Sequence, residues 1–258
     1  MWCAQAAFLS VSRVEFGAVP QASGSRVDQD VDVTPPRRPA SRSAAAECRA
    51  PLVAGELDPL ELDRLEDHDG WSEVAVTGSA VAADAEPVSF ARSTITGMRL
   101  TAARLRRLEL TDVVLADCDL HGAVLEELSL DRVAFVGCRL TEADLGGATL
   151  VDVSFTGCQL DGAALRLVRT ERLAVHGGTA VGVDLYQAWA NGSRWHDVDL
   201  TGADLSGAHL ERARLQGSTL ADVRGAKALA GSVIDHEQVF SAGLALIADA
   251  AITVDEHR

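Results

Sequence analysis

Aromatic residues make up just 4% of this chain, and the cysteines are five, with no CxxC pair among them. No apolar run approaches the roughly 18 residues that cross a bilayer as a helix. No Ser/His/Asp set and no pair of carboxylates placed for acid–base work stands out in the sequence. Each absence narrows the reading. An odd cysteine count (Cys3, Cys48, Cys118, Cys138, Cys158) without metal-ligand spacing excludes a disulfide framework and a zinc site, and points to a reducing compartment, the cytoplasm. The opening Met1–Val11 has no basic residue ahead of its apolar part, so it does not read as a secretory leader. A net charge of −15 argues against nucleic acid or an anionic membrane as a direct partner.

What is present is a repeat. From Phe90 to Leu220 a large apolar residue returns at every fifth position, and 24 of the 27 positions are Leu, Ile, Val, Phe or Trp; the exceptions are Thr170, Ala180 and Ala190. Two residues before each stands a small or apolar residue such as Ala103, Val113, Cys118 or Ala143, and none of these 54 positions is charged. A period of five matches neither a helix nor a strand, whose side chains repeat every 3.6 and 2.0 residues. It matches a short extended piece followed by a corner. The corner should favour glycine, and glycine fills the second position after the apolar residue in 12 of the 27 units. Four such units, one to a side, close a square coil.

The units Ala143-Asp144-Leu145-Gly146-Gly147 and Ala203-Asp204-Leu205-Ser206-Gly207 resemble the pentapeptide-repeat family, whose unit is often A-D/N-L-x-x. The resemblance implies an all-β solenoid, a right-handed quadrilateral β-helix. It also implies binding to DNA gyrase and related type II topoisomerases as a mimic of duplex DNA, with protection from quinolones. Members of the family often end in a helical segment that caps the core and pairs two subunits.

Taken in order, residues 1–55 read as an extension outside the fold, with Pro35-Pro36-Arg37-Arg38-Pro39 as a solvated linker. Residues 56–87 form an N-terminal cap and an irregular first coil. Here Asp58-Pro59-Leu60-Glu61 predicts a short helix to about Glu66. The β-helix spans 88–223, and 224–258 form a C-terminal cap. In it Asp235 and Gln238 frame a helix over about 236–249, and Phe240, Leu244 and Ile247 are candidate homodimer contacts.

Sorting the units by face gives the expected core. One column is Leu105, Leu125, Leu145, Leu165, Leu185 and Leu205; a second holds Phe135, Phe155 and Trp195. Cys118, Cys138 and Cys158 stack on a third, where an inert buried thiol fits. His176 and His196, the loop Gly177–Gly182 and the sequon Asn191-Gly192-Ser193 read as exposed side chains and corners. No catalytic, metal or cofactor site is expected. The candidate partner surface comprises Asp119, Val136, Glu142, Thr156, Asp161 and Asp199. Val88–Asp222 carries 18 acids against 13 arginines, a net of −5, whereas a duplex-DNA mimic needs a sustained field of one sign. A non-catalytic protein-interaction module is the broad reading; a structural or regulatory scaffold for an unrelated partner is the alternative to topoisomerase modulation.

Overall fold

A computed structural model describes residues 47–252, apart from 54, 63, 67, 78–80, 83 and 84. Of the expected extension over residues 1–55, residues 1–46 lie outside the described residues, as does the tail from 253. The coils form a parallel solenoid. The long strands Val88–Thr96, Leu108–Ala116, Ser129–Val136 and Thr149–Thr156 each run along two faces, and each pairs in parallel with the next. Register advances by four units per coil, as in Leu110↔Leu130↔Leu150. Beyond these strands the same register persists as single bridges, such as Asp144↔Ala164↔Asp184↔Asp204.

The five-residue unit explains this geometry. Its two apolar residues point inward, and the main chain around the residue between them bonds to the coils on either side. Asp144, for example, donates to Ala123 O (2.8 Å), while the next residue, Leu145, donates to Ala164 O (2.9 Å). The second residue after each apolar position adopts a left-handed backbone at all 27 corners, 12 of them glycine and 15 not. Leu105, Leu125, Phe135, Leu145, Phe155, Leu165, Leu185, Trp195 and Leu205 are all buried, none more than 3% exposed. Each buried Leu contributes about 1.5–3 kcal/mol by leaving water. Phe135 and Phe155 stack on consecutive coils with centroids 4.7 Å apart.

The N-terminal cap differs from the sequence expectation. Asp58–Glu61 is a strand, not the start of a helix, and pairs with Val74–Thr77. The open edge of the first coil offers unsatisfied main-chain groups, and pairing with it outweighs the local capping signature; Pro59 is tolerated on an edge strand. Register here is shorter than a full coil: Asp58 pairs with Val74 and Trp71 with Phe90, whose rings stack at 4.8 Å.

At the other end a short 3-10 turn, His236–Gln238, runs into the helix Val239–Asp249. Asp235 and Gln238 form a capping box, with the Asp235 amide donating to Gln238 Oε1 (2.6 Å). The Gln238 side-chain amide also donates to Leu215 O (2.6 Å) and to Ser218 O (2.5 Å), so it closes two carbonyls of the last coil.

Candidate functional site

A side chain can act here only from the outward positions, because the interior of each coil is filled by Leu, Val, Ala and Phe. Cys118, Cys138 and Cys158 are buried, and each thiol lies against two main-chain carbonyls, for Cys118 those of Ala116 (3.4 Å) and Ile95 (3.5 Å). A thiolate there would face these carbonyl dipoles without water. The neighbouring Cys138 thiol, and then burial, push the Cys118 and Cys158 thiols up. Among the described residues no cluster of His, Cys, Asp and Glu could hold a metal ion, and no helix is long and apolar enough to cross a membrane.

The acidic candidates are largely committed to partners in their own turn or on the next coil. Asp161 accepts from Thr179 Oγ1 (2.8 Å) and Val181 N (2.9 Å), and Asp199 accepts from Thr201 N (3.0 Å) and Thr201 Oγ1 (2.6 Å). Asp119 lies in a column between Arg99 and Arg139, and its Oδ1 accepts from His121 N (3.1 Å). Glu142 is exposed at a left-handed corner. Val136 and Thr156 occupy paired positions on consecutive coils and are both exposed. The six candidates therefore do not converge; they lie along one side of the solenoid with arginine between them.

Two arrangements were missed by reading the sequence. The first is an acid–base ladder along one corner: Glu73, Arg92, Asp112, Arg132, Asp152 and Arg172 succeed one another, all with φ between 46° and 60°. Arg132 grips Asp112 through two hydrogen bonds (2.6 and 2.8 Å), Arg172 grips Asp152 in the same way (2.5 and 2.8 Å), and Arg92 Nε reaches Glu73 (2.8 Å). Asp112 is 6% and Asp152 1% exposed. The paired guanidiniums hold both carboxyls below the usual carboxylate range, against the opposing effect of burial.

The second is an outward aromatic group. Trp189 stacks on His209 one coil away with centroids 3.9 Å apart, and Leu167, Tyr186 and Trp189 are 44–50% exposed. The inward positions beside them are small: Thr170 and Ala190 stand where Leu130 and Leu150 stand elsewhere on that face. The bulk has moved from inside to outside. The Thr170 hydroxyl finds no hydrogen-bond partner among the described residues. The sequence signal was the weak patch between Thr170 and Ala190, visible as missing bulk without a reason.

The family profile described as "Pentapeptide repeats" matches in eight copies over residues 134–169 and 181–217. These coils are pentapeptide repeats. No match is found among curated protein sequences. Solved structures with likeness to this chain include QnrB1, a plasmid-mediated fluoroquinolone resistance protein, 14% identical over 74% of this chain and 99% of that one, with a TM-score of 0.42. HetL, a pentapeptide repeat protein involved in heterocyst differentiation regulation from the cyanobacterium Nostoc, is 23% identical over 70% and 82%, with a TM-score of 0.35. The pentapeptide repeat protein Rfr23 from the cyanobacterium Cyanothece is 17% identical over 55% and 84%, with a TM-score of 0.20.

The helix that follows the pentapeptide repeats seats Ala242 and Ala245 inward and leaves Val239, Phe240 and Leu244 more than half exposed, with Ile247 intermediate. Such a helix is apolar all round, unlike an ordinary surface helix with one polar side.

Proposed function

We propose that this chain is a non-catalytic protein-interaction module that works as a homodimer through its C-terminal helix. The observation that carries the interaction reading is the outward Trp189, stacked on His209 beside Tyr186 and Leu167. A pentapeptide coil has inward room for bulk at Thr170 and Ala190, yet the large rings stand in solvent. Exposed Trp and Tyr on a rigid sheet are the residues that dominate binding energy at protein interfaces. The test is affinity capture from a native lysate with the parent and with Trp189→Ala plus Tyr186→Ala. A partner lost with the double variant and kept by an Arg214→Ala control supports the reading; capture unchanged by the double variant refutes it.

Modulation of a type II topoisomerase by duplex-DNA mimicry is the second reading, in the cytoplasm. It is favoured by Asp119, Glu142, Asp161 and Asp199, which lie on one side of the solenoid. It is opposed by Arg99 and Arg139 in the same column as Asp119 and by the charge-paired ladder on the far corner. Gyrase supercoiling, with and without a quinolone, decides it: no change at micromolar protein removes topoisomerase and leaves a scaffold for an unrelated partner.

A further inference from the structure

The acid–base ladder does more than pair with itself. Asp112 Oδ1 accepts from the main-chain amide of Leu52 (2.9 Å), and Asp152 Oδ1 accepts from that of Arg49 (2.9 Å). The two acceptors are two coils apart, which at a strand spacing of ~4.8 Å is about 10 Å. The two donors are three residues apart, and three residues of extended chain span about 10 Å. The strides match, so the segment from Arg49 to Leu52 lies extended along the corner, parallel to the solenoid axis and across the run of the strands.

The contacts are to main chain, not to side chains. Leu52 is 69% exposed, and the Arg49 guanidinium reaches no closer than 4.0 Å to Asp152. Between the two donors stand Ala50 and Pro51. Pro51 has no N–H to offer and is asked for none, and it biases Ala50 toward the extended conformation the segment needs. Each acceptor is fixed before the segment arrives. Arg132 and Arg172 clamp the two carboxylates from the next coil, and Asp131 and Glu171 bind those guanidiniums in turn. The unit of acid, then acid–arginine one coil on, occurs twice with the same stride. A third would need an acid at position 192, where the chain has Gly192.

We propose that this corner is a binding strip for an extended main chain, read through amides at positions n and n+3, and that Glu47–Val53 is its resident and releasable occupant. Two charge-assisted hydrogen bonds against the ordering of seven residues with little apolar burial leave the docked and released forms close in free energy. The strip therefore serves as a latch: a segment of the chain that lies outside the coils is held on them without being part of their core.

The full chain tests this by amide exchange and by replacement. In the parent, exchange at Arg49 and Leu52 should be slowed about tenfold or more relative to Ala50, which makes no such bond. Arg49→Pro with Leu52→Pro removes both donors and leaves every coil residue in place. The resonances of the coils should persist, and a millimolar peptide of residues 47–53 carrying Cys48→Ser should shift those around Asp112 and Asp152. The same peptide with N-methyl groups on the Arg49 and Leu52 amides should shift nothing. Three outcomes overturn the proposal: Arg49 and Leu52 exchanging as fast as Ala50 in the parent, no peptide-induced shift in the double variant, or an N-methylated peptide that acts as well as the plain one.

Discussion

Asp152 and Arg172 face each other across one coil, two hydrogen bonds of 2.5 and 2.8 Å joining a carboxylate that is 1% exposed to a guanidinium at the next corner. Removing the carboxylate leaves the Arg172 guanidinium only Glu171 as a partner, and also strips the Arg49 amide of its acceptor. Asp152→Ala should therefore cost about 3 kcal/mol of unfolding free energy, within the range for breaking a buried pair. Glu142→Ala, at an exposed corner of the opposite side, should change it by less than about 0.5 kcal/mol. Chemical denaturation of the two variants beside the parent measures the difference.

The same pair sets a dependence on pH. Arg132 and Arg172 depress the carboxyls of Asp112 and Asp152 in the folded chain. A depressed carboxyl contributes stability that is complete above its unfolded value, about 3.9, and is lost as pH falls through the lower folded value. The melting temperature should therefore drop below about pH 4 beyond what the other acids cause. Asp112→Asn with Asp152→Asn should start lower at neutral pH and fall less steeply in acid. A double variant with the parent's slope would show that these two groups do not carry the linkage.

What the sequence made legible follows from periodicity. A side chain that must point inward at every fifth position leaves a pattern no surface demand can blur, so Leu145 and its neighbours were readable at once. The Asp235–Gln238 capping box was readable for a similar reason, since its partners are close neighbours in sequence. The strand Asp58–Glu61 was not, because its local signature is that of a helix start and the edge that recruits it, Val74–Thr77, belongs to a later part of the chain. The latch was further out of reach. Arg49 and Asp152 stand 103 residues apart, and nothing about Arg49 or Leu52 marks them as donors. The ladder itself was visible in principle as acids and arginines alternating once per coil, but outward corners tolerate any residue, so the alternation did not stand out.

Glycine demand separates sharply by position. Gly178 has φ of +85°, and a Cβ there would meet the Cys158 carbonyl oxygen at 2.1 Å. Gly178→Ala should cost more than about 3 kcal/mol, through both backbone strain and the clash. Ala102 is the reverse case, an exposed corner residue held at φ of 52° without need of its Cβ. Ala102→Gly should stabilise by about 0.5 kcal/mol, relief of strain exceeding the added freedom of the unfolded chain. Opposite shifts in melting temperature are the expected result; a loss at both positions would mean that the corners are not strained by side chains.

The C-terminal helix carries the last expectation, that of a dimer. Phe240 is 75% and Leu244 51% exposed, one turn apart on the same side, while Ala242 and Ala245 fill the contact with the coils. Leaving two large apolar side chains in water forgoes about 1.5–3 kcal/mol each. A second copy of the same face would recover it, and a twofold pairing needs no further complementarity than one surface matching itself. Phe240→Glu with Leu244→Glu should convert a dimer to a monomer by light scattering at micromolar concentration, with melting of the coils little changed. Gln238→Ala is the contrasting variant. It opens the carbonyls of Leu215 and Ser218 and should lower stability by about 1–3 kcal/mol while the subunits stay paired. A parent chain that is monomeric under those conditions would remove the dimer, and the exposed helix would then be a cap with no partner of its own.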